Sequence, residues 1–314
     1  MDGRASNRHE LDHLTHRYVW GLVMKVFYSA AYCATSVAWD TTRKAVVVAD
    51  SLQREPIAEV ELVEPEPVTL ETLAGMLDEE YLNALLTGSP KVLAESNSLG
   101  WDALLLDAVR SSSGGVCAAV AAALEGGCNA GSLSSGLHHA RPSRGGGFCT
   151  VNGLVLGART AFAMSAKRVL ALDLDAHAGG GTAAYIERGG LGAFEQTDVS
   201  LVQYDTYNGI DGASLVMSDA GTYLDDVERA LASVKAPSSI DVVLYNAGMD
   251  PHERAGGVRG VTTAMLARRE EMVFEWAALH GVPVAWVLAG GYSTNMHADE
   301  LAGLHRLTVQ AASR

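Results

Sequence analysis

Seven apolar runs rich in Val, Leu and Ile punctuate the chain, and between several of them apolar residues recur at helical spacing. The runs are KVFYS (25–29), EVELVEP (59–65), AGSLSS (130–135), RVLALDLD (168–175), VSLVQYD (199–205), DVVLYNAG (241–248) and PVAWVLAGG (283–291). Short apolar runs alternating with amphipathic segments predict an α/β protein whose parallel strands are buried on both faces. In 222–236, Leu224, Val227, Leu231 and Val234 fall on one helical face. In 264–281, Leu266, Val273, Trp276 and Leu279 do the same, and Gly281 stops the helix ahead of Pro283. The small-residue stretch 111–130 predicts a helix packed closely on the sheet. The first twenty residues read as a loosely held arm, and no repeat or low-complexity linker divides 21–314, which predicts one domain.

The strand ends hold the chemistry. His138 and His139 follow the third run, Asp173, Asp175 and His177 close the fourth, Asp250 follows the sixth, and Tyr292 follows the seventh. In open parallel sheets ligands bind outside the carboxyl ends of the strands, so these groups should converge in one crevice. An uncompensated charge at the mouth of a buried strand costs several kcal/mol, and something must offset Asp173 and Asp175. Taken singly, either Asp173 or Asp250 would be a turn or capping residue; the joint pattern is what points to a site. Asp175 and His177, two apart on extended backbone, face the same side. With Asp250 they make a set of two carboxylates and one imidazole. That set suits Zn²⁺ with a position left open, as in catalytic rather than structural zinc.

Composition narrows the field. The chain of 314 residues is 48% hydrophobic and 19% charged, as in ordinary globular proteins. Its net charge of −14 argues against nucleic-acid binding, which needs clustered Lys and Arg, and mildly suits a cationic substrate. Cys33, Cys117, Cys128 and Cys149 show no paired spacing and read as free thiols. With no apolar run long enough to span a bilayer and a polar start, the expectation is a cytoplasmic protein away from membranes.

The ordered motifs LHHA (137–140), GGFC (146–149), DLDAH (173–177), YNAGMD (245–250) and LAGGY (288–292) resemble the zinc-dependent histone deacetylase family. DLDAH, YNAG and TYN look most like its class IV branch and bacterial homologues. The resemblance implies a three-layer arginase/deacetylase fold, with a central, mostly parallel sheet of about eight strands flanked by helices. It implies one catalytic Zn²⁺ on Asp175, His177 and Asp250, and a structural K⁺ held by carbonyls near Asp173 and Asp175. His138 and His139 would be the tandem histidines, with Asp173 orienting His138 and Tyr292 donating to the oxyanion. Phe148 would wall the acyl tunnel, the Gly147 carbonyl would lie near the substrate amide, and Tyr207 would stand at the rim.

The implied reaction removes acetyl or longer acyl groups from lysine side chains. A rival of the same chemistry acts on acetylated polyamines or another small amine, and a rival of a different class is a silent acyl-lysine binder. Oligomeric state is not legible. One departure bears on all of these. Many relatives read HHGDG or HHGNG where this chain reads HAGGG, so Gly180 stands where the carboxylate or amide partner of His139 is expected. That predicts a His139 without a carboxylate, tuned by water or a backbone carbonyl. A two-manganese, arginase-like site would need a further carboxylate where Gly179 stands.

Overall fold

Eight parallel strands lie side by side in the order β2-β1-β3-β8-β7-β4-β5-β6. They are β1 (Met24–Phe27), β2 (Val60–Val63), β3 (Ala130–Ser135), β4 (Arg168–Asp173), β5 (Ala193–Ser200), β6 (Ala213–Met217), β7 (Val242–Ala247) and β8 (Val284–Leu288). This computed structural model describes residues 23–37 and 39–314; the arm expected over 1–20 lies outside the described residues.

Alternation along the central strands builds a core on each face. Leu170, Leu172, Val243, Tyr245, Val284 and Trp286 face one side, against the helices Asp40–Arg54, Tyr223–Ser233, Thr263–His280 and Ala298–Ala312. Val169, Ala171, Val242, Leu244, Ala285 and Val287 face the other, against Leu105–Gly126, Gly153–Ala163 and Gly180–Arg188. Both faces are covered, which is why these strands read as continuous apolar runs. Each fully buried Leu or Val contributes about 2 kcal/mol of apolar burial. The small-residue helix appears as Leu105–Gly126, and its Gly114 and Gly115 let Glu66 and Tyr32 approach its backbone.

Three expectations need correction. The fifth run was placed too late: β5 ends at Ser200, and Leu201–Asp205 is loop. Its true span was hidden because Gln196, Thr197 and Asp198 are polar yet buried, with Gln196 Nε2 donating to both Asp198 oxygens (2.7 and 2.8 Å). β6 was missed because it is a short edge strand in which no residue is fully buried. Finally, Leu279 does not join the face of Leu266 and Val273 but stands 77% exposed at the end of its helix.

Candidate active site and metal centre

The functional groups gather where β3, β8, β7 and β4 end side by side. β3 shifts register between Ser132 and Ser135, and Gly136 N then donates to Leu288 O at 3.1 Å. Leu137 adopts φ +55°, left-handed backbone that costs a leucine about 1 kcal/mol. The turn brings His138 and His139 into the crevice with ring centroids 3.9 Å apart. Asn152 secures it, its amide donating to His138 O (3.3 Å) and Ala140 O (3.2 Å), while Thr182 N donates to His138 O at 3.0 Å.

β4 ends at Asp173, level with Asn246 of β7. His138 Nδ1 lies 2.7 Å from Asp173 Oδ2, and Asn246 Nδ2 donates to Asp173 Oδ1 at 2.8 Å. Burial opposes a charge on His138, but Asp173 and Asp175 draw its pKa up to about 10. His139 goes the other way: burial, then the charge on His138, push it down to about 4. The tandem pair thus divides into a charged ring and a neutral one.

Asp175, His177 and Asp250 each offer one ligand atom, all within 4.8 Å of one another. His177 Nδ1 lies 3.1 Å from Asp175 Oδ1 and 3.0 Å from Asp250 Oδ2. The carboxylates are buried and aimed by backbone donors. Gly290 N reaches Asp175 Oδ2 at 2.6 Å, His177 N reaches Asp175 Oδ1 at 3.0 Å, and Ala176 N reaches Asp250 Oδ1 at 3.0 Å. A side chain at Gly290 would put its Cβ 2.1 Å from Asp250 Oδ2. Burial disfavours charge on His177, yet the two carboxylates raise its pKa to about 11; the proton stands where a cation fits. Two carboxylates and an imidazole converging on one point match the donors and number of a mononuclear zinc site. Among the described residues no second such group of His, Cys, Asp and Glu side chains occurs.

Behind the ligands, Arg269 is fully buried and donates to Leu174 O (3.0 Å) and Gly248 O (2.7 Å), tying together the loops that carry Asp175 and Asp250. Lys44 lines the cavity shared by His138, His139, Asp175 and Tyr292, and its ammonium donates to Ala289 O. Burial lowers its pKa against the pull of Asp250 and Asp175. Burial and the same two carboxylates push the Tyr292 phenol well above its usual range, so it stays a neutral donor.

Aromatic rings frame the mouth. Phe148 (φ +64°) donates its N–H to Asn97 O at 2.8 Å and lies 4.9 Å, centroid to centroid, from Trp39, itself 6.5 Å from Tyr292. Gly147 lines the same cavity as the tandem histidines. Tyr204 stands almost perpendicular to His139 at 4.9 Å and to His177 at 5.8 Å. Tyr207, expected at the rim, instead turns its hydroxyl to Ser214 O at 2.9 Å; because β5 ends early, Tyr204 takes the position beside the histidines. The expectation that His139 lacks a carboxylate is also corrected, for Asp205 Oδ2 lies 3.1 Å from His139 Nδ1. Asp205 in turn pairs with Arg141. Ser200 Oγ, at the end of β5 beside β4, is buried without a partner among the described residues.

Sequence reasoning missed Lys44, Trp39, Tyr204, Asp205, Asn246 and Arg269. Asn246 carried a signal, since it sits in the YNAG run at a strand end. The others lie in helices or loops where no spacing marks them.

Residues 39–208 match the histone deacetylase domain. A protein of Picosynechococcus sp. described as uncharacterized is 32% identical over 245 residues, covering 75% of this chain and 79% of its own length. Histone deacetylase 2 of Arabidopsis thaliana is 29% identical over 268 residues, covering 80% of this chain and 69% of that protein. The crystal structure of the HDA15 HD domain shares the fold, with a TM-score of 0.71 over 92% of this chain and 90% of that one at 19% identity. The fold is thus the one that histone deacetylase domains share. The chain belongs to the histone deacetylase family. No described helix is long and apolar enough to cross a membrane.

Proposed function

We propose that this protein is a zinc-dependent amide hydrolase that removes acetyl or longer acyl groups from amines, with the lysine side chain as the leading substrate class. The observation that carries the reading is the convergence of Asp175, His177 and Asp250 beside two adjacent histidines, one charged and one neutral, and a neutral phenol. Bound there, Zn²⁺ would supply a Lewis acid that polarises the amide carbonyl and acidifies water.

The chain's own groups account for the rest. Neutral His139 takes the proton from the attacking water and returns it to the departing amine, which cannot leave as an anion. His138, oriented by Asp173, keeps its positive charge near the developing oxyanion. Tyr292 donates to that oxyanion from a fixed position. Phe148 and Tyr204 exclude water from the acyl-amine stem, and the Gly147 carbonyl is available to the substrate N–H. A structural K⁺ beside Asp173 and Asp175 would find the unpartnered Ser200 Oγ as one oxygen.

Acylated small amines are the second reading, favoured by the net charge of −14, which attracts polycations. The silent-binder reading loses its motive, since Asp205 stands beside His139 where Gly180 offers nothing. Turnover of acyl-lysine peptides and acetylated polyamines by the zinc-loaded protein tests the proposal. Hydrolysis of the peptides supports it, hydrolysis of small amines alone replaces lysine as the substrate class, and zinc binding without any turnover rejects it.

A further inference from the structure

We infer that Asp205 positions His139 in this chain, doing from the loop after β5 what a side chain at position 180 would otherwise do. The inference deepens the amide-hydrolase reading and rests on it. Asp205 Oδ2 lies 3.1 Å from His139 Nδ1, and its other oxygen pairs with Arg141. A Cβ built on Gly180 would fall 2.2 Å from the Asp205 backbone oxygen and 2.6 Å from its carboxylate. A side chain at 180 and Asp205 in this place exclude one another. The missing side chain is therefore the condition for the relocated carboxylate.

The arrangement has a chemical consequence. An aspartate accepting from Nδ1–H fixes the tautomer of His139, leaving Nε2 as the lone-pair nitrogen. In hydrolysis Nε2 gains the proton that water loses and releases it to the leaving nitrogen, while Asp205 stays ionised throughout. Burial pushes the Asp205 carboxyl up, but its hydrogen bond to His139 and the Arg141 guanidinium beside it bring it below its usual range. The groups facing His139 are His138, Asp175, His177, Cys149, Tyr204 and Asp205.

The relocation also links two tasks. Tyr204, which stands over the rings of His139 and His177, is the residue before Asp205. The loop that sets Tyr204 beside His139 and His177 is thereby the loop that orients the base.

The test uses the zinc-loaded full chain with Asp205→Ala and Asp205→Asn. Zinc content and thermal melts confirm that each variant is folded, and Asn keeps an acceptor of nearly the native shape where Ala removes it. Histidine ¹⁵N NMR reads the tautomer without reference to turnover. The expected result is a hydrogen-bonded Nδ1–H on His139 in the native chain that is lost in the Ala variant and kept in the Asn variant. With a substrate that the native protein hydrolyses, Asp205→Ala should lower kcat by about 10- to 100-fold with KM little changed. Asp205→Asn should recover much of that, with the acid limb of its pH profile moved to lower pH because a negative charge beside the imidazole is gone. A His139 tautomer unchanged in Asp205→Ala overturns the inference whether or not the protein turns over. A native chain with the predicted tautomer but no turnover overturns the hydrolase reading instead.

Discussion

Asn246 Nδ2 donates to Asp173 Oδ1 at 2.8 Å, while the other oxygen of the same carboxylate holds His138 Nδ1 at 2.7 Å. The amide fixes the plane of Asp173, and through it the ring of His138. Asn246 reaches this position because β7 pairs with β4 in a register that sets it level with Asp173. Replacing Asn246 by Ala should lower kcat by about 10- to 100-fold while zinc content stays at the native level. Steady-state kinetics beside metal analysis of the same preparation checks it.

Tyr292 presents a neutral phenol beside the carboxylates that would hold the metal, and its pKa is pushed up by burial and by Asp250 and Asp175. A donor that acts only on the charge developing in the transition state alters kcat rather than ground-state binding. Tyr292→Phe should therefore reduce kcat by roughly 10²–10³ with KM nearly unchanged. A large rise in KM at constant kcat would assign Tyr292 to substrate binding.

Asp102 anchors the segment that leads to Trp39 at the mouth. Thr35 Oγ1 donates to it at 2.6 Å and Ser36 N at 2.7 Å, and Leu104 N reaches its other oxygen at 3.1 Å. The Thr35 hydrogen bond, then those from the Leu104 and Ser36 backbones, hold its pKa at about 2. Its folded value lies below the unfolded one of about 3.9. The tie therefore stabilises the fold above about pH 4 and is lost as the pH falls towards 2. Asp102→Asn should cost about 1 kcal/mol at pH 7 after solvent screening, with the difference shrinking at pH 2. Thermal melts of both proteins across that range read it directly.

The parts of the molecule legible in the sequence are those where one residue type had one physical reason to be there. RVLALD could only be a buried strand, and β4 occupies its apolar part. Asp175, His177 and Asp250 were readable because the polar ends of buried strands need a partner, and their ligand atoms do meet. β5 was misread because its polar residues satisfy one another inside the fold, with Gln196 bonded to Asp198 and to Gly179 O. β6 escaped because an edge strand has little to bury. At Gly180 the sequence displayed a loss, whereas its compensation lay 25 positions downstream at Asp205. Only a chain path that folds the loop after β5 back over the tandem histidines joins the two.

Whether a single metal ion works with the tandem histidines is read by titrating the metal-free protein with Zn²⁺ while following hydrolysis of an acetylated amine. Native protein and Asp250→Ala should be run side by side. Activity should rise to a plateau at one Zn²⁺ per chain and be lost in Asp250→Ala, because two of three donors cannot hold the ion in place. Full activity in the metal-free protein, or a plateau only at two ions per chain, would contradict it.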